Sequence, residues 1–345
     1  MRRSVADCCT MPYHDDYYLL RWLRARNFDP MAADKMLRAS LKWREEWDVG
    51  SLENWSPPEV FEKYYPSGVC GYDKEGSPII VVPFAGLDVW GMLHSVNKTD
   101  IIKRTIKELE THLANARKQA KEHGPAANQL VAIMDMTDFN IRQYAWRPAA
   151  ELVISMLQMY EANYPEILKI CYIINVPKVF ALAFSIVKNF LNEYTLSKIR
   201  IYKNDPNKWQ PELLRQIDTS QLPVYLGGSM RDPDGNPVCP SKIRQGGKVP
   251  KSFYTKKVEK LVEGKEDYVS VTVKKGDKLS LDFIVPEKGS FLKWGFYTDS
   301  HDIKFGVLSK NSDGNENEVV PIHRVPSHQA EEMGVITCPE PATCK

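Results

Sequence analysis

No apolar run in this chain approaches the roughly 20 residues that a membrane-spanning helix needs, and the polar opening MRRSVADCCTMPYHDD has no apolar core of the signal-peptide kind. Both absences predict a cytosolic protein. Seven cysteines without one C-x-x-C pair fit reduced thiols in that compartment. Cys70 and Cys171 fall in strand-like stretches as core fillers, and Cys338 and Cys344 stand apart from any His at zinc spacing, so no metal is expected. The formal net charge is only +2, with no Lys/Arg run and no aromatic-basic pattern, so nothing drives the chain towards nucleic acid. Equally missing are G-x-S-x-G, G-x-x-x-x-G-K-[ST], G-x-G-x-x-G and H-E-x-x-H, which argues against the common hydrolase, nucleotide-binding and metalloprotease chemistries. Asp135 and Asp138 follow a strand-like run, where D-x-x-D serves turn capping more often than catalysis, and His94 and His112 have no partner at ligand spacing. The chain is expected to be no enzyme and to need no cofactor.

What is present is enough apolar residue, 43% of 345, for more than one core, since single cores seldom grow beyond about 250 to 300 residues. Residues 1–60 read as helical. Asp15 to Asn27 and Pro30 to Trp47 form two helices broken at Phe28-Asp29-Pro30, with Asp29 as N-cap and Pro30 in the first turn. Arg21, Arg24 and Arg26 give the first helix a basic face that either stays solvated or holds an anion. From Ile79 onward, strands and helices alternate. Ile79 to Val82, a helix over Lys98 to His123, Leu130 to Asp135 and a helix over Arg147 to Ala162 predict an α/β domain over 61–230. Near-continuous apolar runs such as IIVV and LVAIM predict a mainly parallel sheet covered by helices on both faces.

The chain is organised around Asn163 to Lys203, which reads strand, helix, strand: Leu168 to Ile174, a helix opened by Pro177, and Lys198 to Tyr202. At 100° per residue, Lys178, Ser185, Lys188, Asn189 and Asn192 make one narrow polar stripe, and apolar residues fill the rest. That arc is wider than a surface helix needs. Either the helix is covered on both sides, or one face lies on a ligand cavity or a membrane. Glu166 and Lys198 fall at the same edge of the paired strands, as a solvated pair or a buried one.

Past LPVYLGG, residues 231–250 are dense in proline and turn residues, the composition of a linker. Beyond it the period becomes two: Val269, Val271, Val273; Leu279, Leu281, Phe283; Trp294, Phe296; Ile303, Phe305, Val307. Turns at Lys275-Gly276-Asp277 and Glu287-Lys288-Gly289 complete the pattern of an all-β sandwich over 251–345. An excess of Lys over acidic residues in its first part is a solvated basic face or a weak attraction to acidic lipid surfaces.

LLRWLRARNFDP followed by MLRASLKWR resembles the amino-terminal helical segment of CRAL-TRIO lipid-binding proteins, and YEANYPEILKICYIINVPKVFALAFSIVKNFLNEYTLSKIRIY resembles that family's lipid-binding signature. GSFLKWGFYTDSHDIKFGV is similar to a GOLD domain, and the combination resembles the supernatant protein factor branch of the phosphatidylinositol-transfer superfamily. The resemblance implies a non-enzymatic carrier with an apolar cavity over the sheet, closed by a mobile helix that maps onto Pro177 to Leu191. It places Phe180, Ala183, Phe184, Val187, Phe190 and Leu191 in the gate, with Phe180, Phe184 and Phe190 turned towards a membrane, and Leu130, Ala132, Ile199 and Ile201 in the cavity wall. The family's phosphoinositide headgroup contacts map onto Arg26, Glu166, Thr195 and Lys198, which favours the buried pair. Asn27 stands where phosphatidylinositol binders carry a Lys, and Leu130 and Ala132 stand where phosphatidylcholine binders carry hydroxyls. Those departures imply a greasier occupant, of tocopherol, retinoid or squalene type. The implied protein is a cytoplasmic monomer, transient at membranes, with a GOLD-type sandwich that ends one strand short and offers a surface for protein partners.

Overall fold

Two aspartates start the first two helices. Asp15 caps α1 (Asp16–Arg24) by accepting from Tyr18 N, and Asp29 caps α2 (Pro30–Glu46) by accepting from Met31 N and Ala32 N. Between them Asn27 and Phe28 take positive φ angles, which ends α1 at Arg24, short of the expected Asn27. Leu19 and Trp22 of α1 pack on Ala33, Met36 and Leu37 of α2, with Val5 beneath them. The computed structural model describes residues 1–254, 269–285, 287–288, 290–310, 316–328, 332–338 and 341–344.

After α3 (Glu59–Tyr64) come β1 (Ser67–Tyr72) and β2 (Pro78–Pro83), then α4 (Val89–Ser95), α5 (Lys98–His123) and β3 (Leu130–Asp135). α6 (Ile141–Ala145) and α7 (Arg147–Asn163) lead to β4 (Leu168–Val176), and α8 (Phe180–Val187) and α9 (Glu193–Ser197) lead to β5 (Ile199–Lys203). α10 (Pro206–Gln216) and the short β6 (Ile243–Arg244) complete a six-stranded sheet ordered β5-β4-β3-β2-β1-β6. The pairs β2–β3, β3–β4 and β4–β5 are parallel, and β1 runs antiparallel to both its neighbours. Alternation then divides the side chains. Ile79, Val81, Val131, Ile133, Tyr172 and Ile174 face Trp209 and Leu213 of α10, whereas Ile80 and Leu130 face the helices α5 and α7 on the other side. A third cluster, under α8, gathers Ala132, Met134, Met136, Cys171, Ile173 and Ile199.

Residues 231–250 are not a linker. They belong to the first compact unit, Met1–Tyr254; Ile243–Arg244 pairs with Ser67–Gly68, and Cys239, Ile243 and Val249 are buried. The turn-rich composition instead builds a folded loop, in which the buried Asp232 carboxylate accepts from Ser241 N and Ser241 Oγ at 2.9 and 2.6 Å. The close approach depends on Gly68, where an added Cβ would stand 2.0 Å from Lys242 O. Gly68→Ala is therefore expected to release this segment. Limited trypsin digestion followed by mass spectrometry should cut the variant at Lys242 and Arg244 many times faster than the wild type; equal cutting would mean the segment is free in both.

In the second unit, Thr255–Lys345, the strands among the described residues pair antiparallel. One sheet holds β7 (Phe283–Val285), β9 (Ile303–Lys310), β10 (Glu316–Val325) and β12 (Ala342–Cys344) in the order β10-β9-β12-β7; the other pairs β8 (Phe291–Phe296) with β11 (Glu332–Thr337). Both contribute to one small core of Val285, Val307, Cys338 and Cys344 against Leu292, Trp294, Phe305 and Ile336. The strands expected at Val269 to Val273 and Leu279 to Leu281 are absent, and Val269, Val271, Leu279 and Leu281 are exposed. Alternation marks a side chain's fitness for a half-buried ladder, and without pairing the pattern has no strand to occupy.

Candidate functional site

The helix between β4 and β5 is shorter than Pro177 to Leu191. Pro177 O accepts from Phe180 N in an opening turn, the regular helix is Phe180–Val187, and a 3₁₀ turn over Lys188–Phe190 follows. Its two faces are both apolar. Phe180, 6% exposed, and the half-buried Phe184 stack with ring centroids 5.8 Å apart and join the cluster on the sheet; Phe139 meets Phe180 edge-on at 5.8 Å. Outward lie Val179, Leu182 and Ile186, 48%, 64% and 55% exposed, spaced three and four residues apart on one side of the helix. The wide arc thus has its covered half on the sheet and its uncovered half in solvent. Ala183, Val187, Phe190 and Leu191 are half-buried.

Of the residues assigned to the cavity wall, Ala132 and Ile199 lie in the cluster under α8. Leu130 lies instead in the cluster shared with α5 and α7, although its register partner Leu168 packs against the cluster under α8. Ile201, on the edge strand β5, is exposed. Nearby, Asp135 Oδ1 accepts from Thr137 N, Thr137 Oγ1 and Asn175 Nδ2, and Asn175 Oδ1 accepts from Trp209 Nε1, a network that ties the β3 and β4 ends to α10.

At the opposite end of β4 the chain places two charges out of water. Lys198 Nζ stands 3.7 Å from Glu166 Oε2, with side chains 12% and 5% exposed. The ammonium donates to Leu168 O at 2.6 Å and lies 4.0 Å from the Tyr194 ring centroid. Glu166 itself has a positive φ, and its carbonyl accepts from Gln129 Nε2 at 2.9 Å. Burial pushes the Lys198 pKa down, and the Glu166 carboxylate opposes the shift. Tyr194 is raised, by burial first and then by the same carboxylate. Thr195, half-buried on α9, donates its N–H to Asn192 Oδ1 and accepts from Lys198 N through its carbonyl. Arg26 is exposed and donates to Ala25 O; it is Arg24 whose charge reaches Lys198 and Tyr194. Tyr194, Gln129 and Arg24 are the residues that sequence reasoning missed here. Arg24 carried a signal as part of the basic face of α1, and Tyr194 as an aromatic four residues before Lys198.

Among the described residues no group of His, Cys, Asp and Glu is placed to hold a metal ion, and no helix is long and apolar enough to cross a membrane.

Residues 62–228 match the CRAL/TRIO domain family. The chain is 29% identical over 300 residues to the CRAL-TRIO domain-containing protein T23G5.2 of Caenorhabditis elegans, covering 85% of this chain and 40% of that protein. It is 31% identical over 304 residues to Protein real-time of Aedes aegypti, covering 86% and 46%. The chain thus spans less than half the length of these curated relatives. The crystal structure of Sfh5 superposes with a TM-score of 0.54 at 17% identity, over 76% of this chain and 86% of that one, a likeness of fold.

Proposed function

Because residues 62–228 match the CRAL/TRIO domain family, we propose that the chain binds one hydrophobic lipid between α8 and the sheet and carries it between membranes without chemical turnover. The observation that carries this reading is α8, apolar towards the sheet and apolar towards solvent. A helix of that kind has somewhere to go on both sides: over a ligand in water, and into an interface at a membrane. The energy to be met is large. At about 0.8 kcal/mol per CH₂, one sixteen-carbon chain costs on the order of 12 kcal/mol to bring into water, and a closed apolar space offsets it. Opening and closing of α8 is the gating step and sets the exchange rate. The side chains under α8 favour a neutral, greasy cargo of tocopherol, retinoid or squalene type, while Glu166, Lys198, Thr195 and Tyr194 form a polar end suited to a phosphoinositide headgroup. The chain works as a cytoplasmic monomer that touches membranes transiently. The second unit, read as a GOLD-type module, serves protein contacts; exposed Val269, Val271 and Ile284 support that reading.

Native mass spectrometry of the purified protein, followed by solvent extraction, tests the proposal. One lipid per chain is expected, recovered chemically intact. A chain that takes up no lipid from vesicles containing tocopherol or phosphatidylinositol, or that hydrolyses an ester or phosphate of the added lipid, refutes it.

A further inference from the structure

A small open recess lies where α1, α2, α5 and the turn between α7 and β4 meet. Four charged side chains line it: Arg21, Arg44, Arg117 and Glu110. Glu110 is already used. Its Oε1 accepts from Arg44 Nη1 at 2.6 Å and from Tyr164 Oη at 2.9 Å; burial alone would push its pKa up, and the arginine contact overcomes that and holds the carboxyl below its usual range. Arg21 and Arg117 are left over. Neither guanidinium makes a hydrogen bond or an ion pair among the described residues; Arg117 rests 4.9 Å from the Tyr13 ring centroid, and the two arginines repel one another across the recess. Ser40 is unpaired as well. It lines the same recess, is 2% exposed, and its Oγ has no hydrogen-bond partner, although a serine within a helix can ordinarily donate to the carbonyl four residues back.

Unpaired guanidinium groups and an unpaired buried hydroxyl around one space are donors without an acceptor. We propose that this recess is a binding site for a phosphoryl dianion, held by Arg21, Arg117 and Ser40. A carboxylate would neutralise one guanidinium and leave the other facing a like charge. A phosphate monoester or inorganic phosphate carries about −1.5 to −2 charge and three or more acceptor oxygens, enough for both arginines and the hydroxyl together. Arg44 stays with Glu110 and forms the wall. The site is separate from the Glu166–Lys198 pair and does not rest on the lipid-carrier reading, so either can fail alone. Occupancy would tie α1 to α5, the two elements on which Arg21 and Arg117 sit.

The test uses the full chain and two probes, inorganic phosphate at constant ionic strength against chloride, and phosphatidylcholine vesicles containing phosphatidic acid against phosphatidylserine. Wild type is expected to gain melting temperature with phosphate, and Arg117→Gln to lose about tenfold in apparent phosphate affinity. Without ligand, Arg117→Gln should melt at or above the wild type, because a like charge has left the recess. Loss of phosphate stabilisation in the variant identifies free phosphate as a sufficient source. Preference for phosphatidic acid over phosphatidylserine, lost in Arg117→Gln and without any phosphate effect, identifies a lipid phosphomonoester. No response to either probe, or an equal response in wild type and variant, overturns the proposal. Should Arg117→Gln fail to fold, Ser40→Ala decides: it removes only the unpartnered hydroxyl, and unchanged phosphate affinity in that variant overturns the site.

Discussion

The double variant Leu182→Asp/Ile186→Asp is expected to lose vesicle-to-vesicle transfer of a labelled hydrophobic lipid at least about tenfold while keeping the wild-type melting temperature. Both side chains stand in solvent on the outer side of α8, so folding gains little from them. An interface gains much more. Burying a side chain of Leu or Ile size contributes about 1.5–3 kcal/mol, so removing two and adding two carboxylates takes away several factors of ten in membrane association. Phe184→Asp makes the informative contrast. Phe184 stacks on Phe180 against the sheet, so the charge would enter the covered cluster and loosen α8 from the domain as well as reduce transfer. A fluorescence dequenching assay with tocopherol analogues, run beside thermal melting, separates the two. If the double variant transfers at the wild-type rate, the outer face of α8 does not meet the membrane.

The same helix shows where sequence reasoning reached and where it stopped. Periodicity located its narrow polar stripe, and Lys178, Ser185, Lys188, Asn189 and Asn192 are all exposed. It could not divide the apolar remainder between sheet and solvent, because an angle around a helix axis carries no information about the neighbour. For the strands the neighbour hardly matters: IIVV and LVAIM are apolar on both faces, and the sheet buries both faces there. Local chemistry was equally legible at Asp29 and Pro30 and along Lys98 to His123, where caps and breakers act within a few residues. Long-range contacts were hidden. Residues 231–250 have linker composition, yet Ile243 pairs across the sheet edge with Gly68, a contact that only the folded chain supplies. In α1 the basic face could be read, but not that Arg21 turns into a recess while Arg26 stays in water. Strand pairing put Glu166 and Lys198 at one edge and the family resemblance favoured a buried pair, but neither showed Tyr194, Gln129 and Arg24 around them.

That pair is the place where one substitution should cost the fold most. Glu166→Gln is expected to lower the unfolding free energy by roughly 3 kcal/mol at pH 7, measured by urea denaturation, since removing one partner strands the other charge out of water. Lys198 would keep only Leu168 O and the Tyr194 ring. Its pKa is already lowered by burial from the ordinary 10.5, with Glu166 as the opposing influence, so the substitution deepens the shift. The sign of the pH effect follows. Between the lowered folded pKa and 10.5 the unfolded chain binds more protons than the folded one, so stability rises with pH in that window. Glu166→Gln should therefore regain part of its loss on going from pH 7 to pH 9.5. Adding Lys198→Met removes the stranded charge, and the double variant should recover most of the stability with no rise over that range. Lipid binding by the double variant then isolates the headgroup role: a phosphoinositide should bind more weakly than to wild type while a neutral lipid binds equally well. Equal loss for both would assign the pair to structure alone.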